Sequence, residues 1–355
     1  MDPKAPEGLS LKGSVLPNIT FRWTGVNYAY TGLEDLAYQN YSFETGEGEL
    51  DPKLEDALEN SGLGISKEAL QANKDLANFT NYLELGEGDE VKMSLVLNKE
   101  NPVLVDRQQI VLKEGQHARV LVDISSEDDV KVLRNGTIYI DAKEDSVLDL
   151  VLVSRFGKDA TSNISIVSKV SDGAEVNIVN AEVSAGRVLF NYAADLVGID
   201  AQTNVSTAYI ASEEASLDLY YNILHKGAET LSDIQANGAL LDKAHKAFRG
   251  TLDFKEGSEG AKGNEEEYAI LLSPDAKSIA VPLLLSHEEE VEGNHAASAG
   301  RIDEEMLFYL TSRGINRKQA EGLIVAARIT PTLDKIFDDE LREIIMKELE
   351  ERIVL

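Results

Sequence analysis

The chain has 355 residues, with 34 Lys and Arg against 63 Asp and Glu, and its formal net charge is −29. This charge excludes a nucleic-acid or anionic-membrane surface as the main partner, because phosphates are repelled. A composition of 43% apolar and 27% charged residues is typical of a soluble globular protein with a sizeable core. No cysteine is present, which excludes disulfides, thiolate nucleophiles and centres ligated by the chain's own thiolates. Without a signal-type N-terminus or a bilayer-length apolar stretch, we expect a cytoplasmic protein with no membrane partner.

Residues 1–82 form the first predicted region, which is partly helical. Apolar residues recur at helical spacing between Asp51 and Leu83, and Ser66 is a candidate N-cap with a carboxylate in the following turn. The residues at this spacing are Leu54, Leu58, Leu70, Leu76 and Phe79.

Residues 83–300 form the predicted core, where apolar and polar residues alternate in many short stretches. A turn residue precedes the alternation each time, and the unit recurs at a loose period, which favours a β-solenoid over the competing β-sandwich. One Gly-rich and charged segment, Lys255 to Glu267, is predicted to be a flexible loop, with strands resuming at Tyr268. Units of this kind start at Gly88, Gly115, Asp145, Gly173 and Glu214.

Residues 301–355 have a helical pattern. Asn316 and Gln319 form a capping-box pair, and Gly314 is placed to end the helix before it. We expect another short helix to start at Thr330-Pro331, and a last helix to be capped by Asp339. The predicted apolar faces are Ala320, Leu323, Ile324 and Ala327, and then Leu341, Ile344, Ile345 and Leu349.

Motifs after residue 225 resemble the SufB/SufD family, the scaffold-type proteins of the SUF iron–sulfur assembly machinery. The most specific segments are Asn294-His-Ala-Ala-Ser-Ala-Gly300 and Phe308-Tyr-Leu-Thr-Ser-Arg-Gly-Ile315. The earlier segments of the match begin at His225, Asp242 and Leu271.

The resemblance implies an all-β core, a right-handed parallel β-helix dimerised core to core, with the C-terminal helices engaging SufC, an ABC-type ATPase. The alternative is that these helices only cover the end of the solenoid. No phosphate-binding Gly-rich motif occurs in this chain, so ATP hydrolysis is expected in the partner, and no bound nucleotide here. The candidate docking residues are Phe308, Tyr309, Arg313, Gly314, Ala320 and Leu323.

The family's metal chemistry is only partly represented. The SufB-branch cysteine and glutamate fall at Ala276 and Ala296, whereas the family histidines are kept as His295 and His225. Imidazole and carboxylate bind iron, but iron–sulfur clusters prefer thiolates. We therefore expect at most a labile iron–sulfur cluster or iron, with His295, Glu292 and His225 as candidate ligands.

Two classes of function follow. The first is a non-catalytic assembly scaffold: a homodimer with SufC-like ATPases, or a SufD-like subunit that binds no cluster and needs a separate Cys-bearing SufB-like chain. The rival is a β-helix carbohydrate-active enzyme with paired carboxylates. Aromatic residues at 6%, with one Trp, weigh against the sugar-binding platforms that the rival needs.

Overall fold

The structure, a computed structural model, describes residues 10–17, 26–32, 50–60 and 62–354. Its helices are α1 (Pro52–Asn60), α2 (Lys67–Leu76), α3 (Glu304–Ser312), α4 (Arg317–Leu333) and α5 (Asp339–Val354). Its strands are β1 (Ser10–Gly13), β2 (Ala29–Gly32), β3 (Phe79–Leu85), β4 (Glu90–Leu97), β5 (Val103–Leu104), β6 (Asp106–Leu112), β7 (His117–Ser126), β8 (Val132–Ala142), β9 (Val147–Arg155), β10 (Ala160–Val170), β11 (Glu175–Glu182), β12 (Arg187–Leu196), β13 (Gln202–Ala211), β14 (Ser216–His225), β15 (Leu231–Leu240), β16 (His245–Phe254), β17 (Lys262–Leu271), β18 (Lys277–Ser286) and β19 (Glu292–Gly300). None of the described helices is long and apolar enough to cross a membrane.

The strands from β3 onward wind into a parallel β-solenoid, which confirms the predicted fold class. Successive long strands alternate between two sheets, so that each pair of strands makes one turn. Sheet 1 has the order β18-β16-β14-β12-β10-β8-β6-β3, with β5 beside β8. Sheet 2 has the order β19-β17-β15-β13-β11-β9-β7-β4. Every pairing in both sheets is parallel, which excludes the antiparallel sandwich.

Residues at equivalent positions of successive turns stack in columns, because the strands pair without slipping in register. Neighbouring strands lie about 4.8 Å apart, so each side chain contacts the one above and the one below. The inward columns are mostly apolar and form the main core. One such column in sheet 2 contains Val120, Leu150, Ile178, Val205 and Ile234.

The C-terminal helices lie against the outer face of sheet 2, not across the open end of the solenoid. Val325, Ile329 and Leu333 of α4 pack on outward apolar residues such as Ala181 and Ile210. They follow one another at intervals of four residues, and so form the helix face that meets the flat sheet.

This packing corrects the predicted helix faces. Leu323 is 53% exposed and Ala327 is also exposed, although Ala320 is buried as expected. Ile344 is 42% exposed, whereas the other predicted residues of that last helix are buried. Pro331 lies inside the last turns of α4 and starts no new helix. The periodicity found helices correctly, but the sheet selected which side of α4 is buried.

Further corrections concern where elements begin. The segment from Lys255 to Glu267 is not all loop, because β17 starts at Lys262. Phe79 belongs to β3 and not to a helix. The cap at the start of α5 is Asp338, whose Oδ1 accepts a bond from Leu341 N, so it precedes the predicted Asp339 by one residue.

Local capping predictions are confirmed. The Ser66 hydroxyl accepts a bond from the backbone N–H of Ala69 at 3.0 Å. Asn316 and Gln319 form a reciprocal capping box. Gly314 has φ of +90°, the left-handed conformation that ends α3 at little cost for glycine.

We predict that Gly238→Ala destabilises the solenoid. A Cβ at Gly238 would lie 2.3 Å from the carbonyl oxygen and ring of Tyr209 in the turn below. Overpacking of this kind costs about 1–3 kcal/mol, or more where backbone must shift. Urea unfolding measures the loss. Gly300→Ala is the control, since a Cβ at Gly300 meets nothing within 4 Å; equal stability of both variants would contradict the stacking described above.

Candidate functional site

His295 lies on β19, in the last turn of the solenoid. Its register partner in β17 is Glu265, and Glu265 in turn pairs with the buried Ile234 of the apolar column. His295 therefore continues an inward-facing column. It is nevertheless exposed, because no further turn covers it.

Glu292 is not brought together with His295. Residues three apart on a strand face opposite sides, so Glu292 points away from the interior when His295 faces inward. Its carboxylate lies 3.0 Å from Lys262 Nζ, and both side chains are largely exposed. The contact is an ordinary surface ion pair.

His225 is wholly buried and held in place. Its Nδ1 lies 2.8 Å from the Thr230 hydroxyl and its Nε2 lies 2.9 Å from the Ser232 hydroxyl. The ring stacks on Phe254 with centroids 4.6 Å apart, and burial lowers its pKa to about 4. It lies two turns before His295, about 9.5 Å along the axis. With both ring nitrogens engaged, His225 orders the end of β14 and the start of β15.

The sequence interpretation missed a buried charged cluster next to His295. Lys246 Nζ lies 2.5 Å from Glu267 Oε1, and both side chains are completely buried. The Tyr209 hydroxyl donates to the same oxygen at 2.8 Å. Burial lowers the pKa of Lys246, while Glu267 opposes that shift. Glu267 is thus neutralised by a fixed partner.

Glu265 is the second carboxylate of this cluster and is only 1% exposed. Its carboxylate reaches across the solenoid interior to Gly250 of β16 in sheet 1. It occupies the space that a side chain at Gly250 would need, since a Cβ atom added to Gly250 would lie 2.1 Å from the carboxylate. Among the described residues, neither of its oxygens has a hydrogen-bond partner. Burial, together with the charge of Glu267, raises the pKa of Glu265 to about 8. This residue was missed because its segment was assigned to a loop.

Other ionisable groups lie inside the solenoid further from His295. Arg134 donates to both carboxylate oxygens of Asp106 at 2.9 Å, with both side chains fully buried. Burial raises the pKa of Glu182 to about 8, although the hydroxyls of Ser184 and Ser154 lower it in part. Within the described residues, no three His, Asp or Glu side chains are already arranged to hold a metal ion.

The predicted docking residues lie on α3, on α4 and in the turn between them. Phe308 is 73% exposed, and Tyr309 and Leu323 are about half exposed. Arg313 sits over the Tyr309 ring, 4.9 Å from its centroid. An apolar groove of about 740 Å³ runs between α4 and α5, lined by Leu323 and Met346 among others. Gly314 shapes the turn between the helices, and buried Ala320 is not part of the exposed surface.

Comparison with known proteins gives one family. The family model described as the SUF system FeS cluster assembly, SufBD core domain, matches residues 95–328 of this chain. The iron–sulfur cluster assembly protein SufD of Bacillus subtilis is 23% identical over 249 residues, which is 66% of this chain and 57% of that protein. SufBD family proteins of Mycobacterium leprae and Staphylococcus saprophyticus are 20% and 21% identical over the same share of this chain, covering 27% and 51% of their own lengths. The chain thus spans little more than half, or less, of these relatives.

We predict that the unfolding free energy falls as pH rises, in part through Glu182. Its pKa is about 4.5 when unfolded and about 8 when folded, so its stabilising contribution is complete below about pH 4.5 and is lost through about pH 8. Glu182→Gln removes this titration. The difference in unfolding free energy between the variant and wild type should therefore shift in favour of the variant by on the order of a few kcal/mol as the pH rises from about 6 to about 9.

Urea unfolding at the two pH values measures this difference. Glu266→Gln is the control, because Glu266 is exposed on β17. A difference between Glu182→Gln and wild type that does not change with pH would show that Glu182 is ionised in the folded state.

Proposed function

The chain belongs to the SufBD family of iron–sulfur cluster assembly proteins, and on this premise we propose that it is a SufB/SufD-like scaffold subunit working with a SufC-like ABC ATPase. The observation that carries the proposal is the exposed apolar surface of the C-terminal helices. The chain itself has no phosphate-binding loop motif, so the nucleotide chemistry belongs to the partner.

The C-terminal helices are suited to docking because they are anchored to the solenoid on one side and exposed to solvent on the other. One side of α4 is buried on sheet 2 through Val325 and Ile329. Leu323 on the opposite side of α4 is exposed, as are Phe308 and Tyr309 of α3 and the apolar groove between α4 and α5. Large apolar residues clustered at a surface typically mark a protein interface. Covering the open end of the solenoid does not explain these exposed apolar residues, because the C-terminal helices lie along the outer face of sheet 2.

We propose that the open last turn pairs with a second subunit. β18 and β19 are edge strands, each paired on one side only, and an unpaired edge is a template for adding another strand. A second copy would form a two-fold symmetric homodimer. The alternative is a heterodimer with a Cys-bearing SufB-like chain, which the absence of cysteine and the SufD relative support.

The proposed role is assembly without catalysis, with iron or an iron–sulfur cluster as the cargo. Without thiolates, any cluster would be held weakly by imidazole and carboxylate. The paired carboxylates Glu265 and Glu267 do not favour a glycosidase, because both are buried inside the solenoid where a sugar chain does not reach.

Leu323→Asp is predicted to abolish association with the ATPase and leave stability unchanged. Leu323 is exposed, so an added charge costs little in the free chain but is costly at an apolar interface. Co-purification with a SufC-like ATPase and a thermal unfolding curve test both parts. Ile199→Asp, at an exposed turn residue on the solenoid, is the control. Wild-type association of the Leu323→Asp variant would place the docking site elsewhere.

For the dimer, we expect light scattering to give twice the chain mass of 38.8 kDa. Ala297→Arg should give the monomer mass, because Ala297 lies on the exposed inward side of β19, where a second solenoid would continue the core. Ile199→Arg should stay dimeric. A monomeric wild type would refute the homodimer, and mixing with a SufB-like chain would then test the heterodimer.

A further inference from the structure

We propose that the cleft between the outer face of sheet 2 and helices α3 and α4 binds a small dianionic organic molecule with an apolar middle, such as a linear dicarboxylate. Outward residues of β13, β15 and β17 form the floor of this cleft, and α3 and α4 form its walls. Its volume of about 640 Å³ lies within the usual range of small-molecule sites, about 300–1,000 Å³. The proposal is independent of the docking role proposed above.

Two cations line the cleft. Arg328 of α4 sits over the Tyr268 ring, 4.1 Å from the ring centroid. Lys335 follows the end of α4, and its Nζ donates to the Ser206 hydroxyl at 2.7 Å. Neither cation has a carboxylate partner among the described residues, and a phenol ring and a hydroxyl leave both charges uncompensated. Uncompensated cations that share one cleft attract an anionic ligand.

The cleft is locally positive although the chain carries a net charge of −29. Among the described residues that line it, the only carboxylate is Asp303. This carboxylate already caps α3, where it accepts a bond from the backbone N–H of Glu305 at 2.9 Å. Two cations thus face one carboxylate that has its own partner, and the excess positive charge indicates the sign of the ligand.

The two cations lie too far apart for a single anionic group. They are separated by seven residues, which corresponds to about 10 Å along a helix. The groups that hold them agree with this span. Ser206 is in register with Gln235 and, one strand further, with Glu266, which precedes Tyr268 by two residues. About 12 Å therefore separates the Cα atoms of Ser206 and Tyr268, so the ligand needs an anionic group at each end.

The lining between the cations suits an apolar chain. Ile324 of α4 and Met306 and Leu310 of α3 contribute apolar surface to the walls. The floor contributes the side-chain amides of Gln235 and Asn237, whose N–H groups can donate to a carboxylate. An apolar middle with a charged group at each end therefore matches both the walls and the two cations.

The test is a titration of the full chain, labelled with ¹³C at the methionine methyl groups, with suberate, a linear dicarboxylate whose ends are about 9 Å apart. Met306 lines the cleft, whereas Met346 lines the groove between α4 and α5 and Met93 lies on β4. The NMR signal of the Met306 methyl group should shift and saturate. The signals of Met346 and Met93 should stay in place.

Two further compounds test the need for two anionic groups at this spacing. Octanoate has the same chain length with one carboxylate, and succinate has two carboxylates on a chain too short to reach both cations. Each should bind about tenfold or more weakly than suberate, because each loses one charge-assisted contact. Suberate binding should also weaken as the NaCl concentration rises.

Arg328→Gln and Lys335→Gln should each weaken suberate binding about tenfold or more, to the level of octanoate. Both residues are exposed, and thermal unfolding checks that the variants are folded. The matched control is Lys347→Gln, which removes one positive charge from the exposed side of α5, outside the cleft. It should bind suberate like wild type.

The absence of a saturable Met306 shift with suberate would overturn the site. Equal affinities for suberate and octanoate, or wild-type affinity in both Arg328→Gln and Lys335→Gln, would overturn the dianionic ligand. Parallel shifts of Met306 and Met346 would show general binding to apolar surface and would equally refute the proposal.

Discussion

The in-register parallel pairing of successive turns is the constraint on which the rest of the structure depends. Because every inward side chain stacks on its equivalents, a column tolerates a polar residue only where neighbours satisfy it. Most inward positions are therefore apolar. The buried charged residues include two pairs of opposite charge, Lys246 with Glu267 and Arg134 with Asp106.

These buried pairs also oppose any slip in register. A shift of one residue in β16 or β17 would move Lys246 or Glu267 to the outer face and leave the other charge alone in the interior. Breaking such a pair typically costs about 3–5 kcal/mol. Apolar columns alone discriminate less well, since one valine above another fits in several registers. Glu265 departs from this pattern, because it is buried and neither of its carboxylate oxygens has a hydrogen-bond partner among the described residues.

The sequence predicted what is set locally and missed what is set by packing. The caps at Ser66 and Asn316 need only a few neighbouring residues, and both are present. The solenoid followed from alternation and repeated turns. The strand from Lys262 was missed because its glycines and glutamates suit a loop, and only pairing with β15 and β19 makes them a strand. For the candidate site, His295 was found from its motif, but its partner Glu265 was hidden in that segment.

The position of the C-terminal helices has a consequence for synthesis on the ribosome. The outward apolar stripe of sheet 2 extends over β7, β9, β11, β13, β15 and β17, and α4 and α5 cover it. These helices follow every described solenoid strand in the chain, so the nascent solenoid exposes the stripe until α4 and α5 have been synthesised. Before these helices are made, the chain thus exposes apolar surface of the kind that promotes aggregation of folding intermediates. Premature termination after β19 would yield an aggregation-prone product with this apolar surface exposed, even if all of its strands had paired correctly.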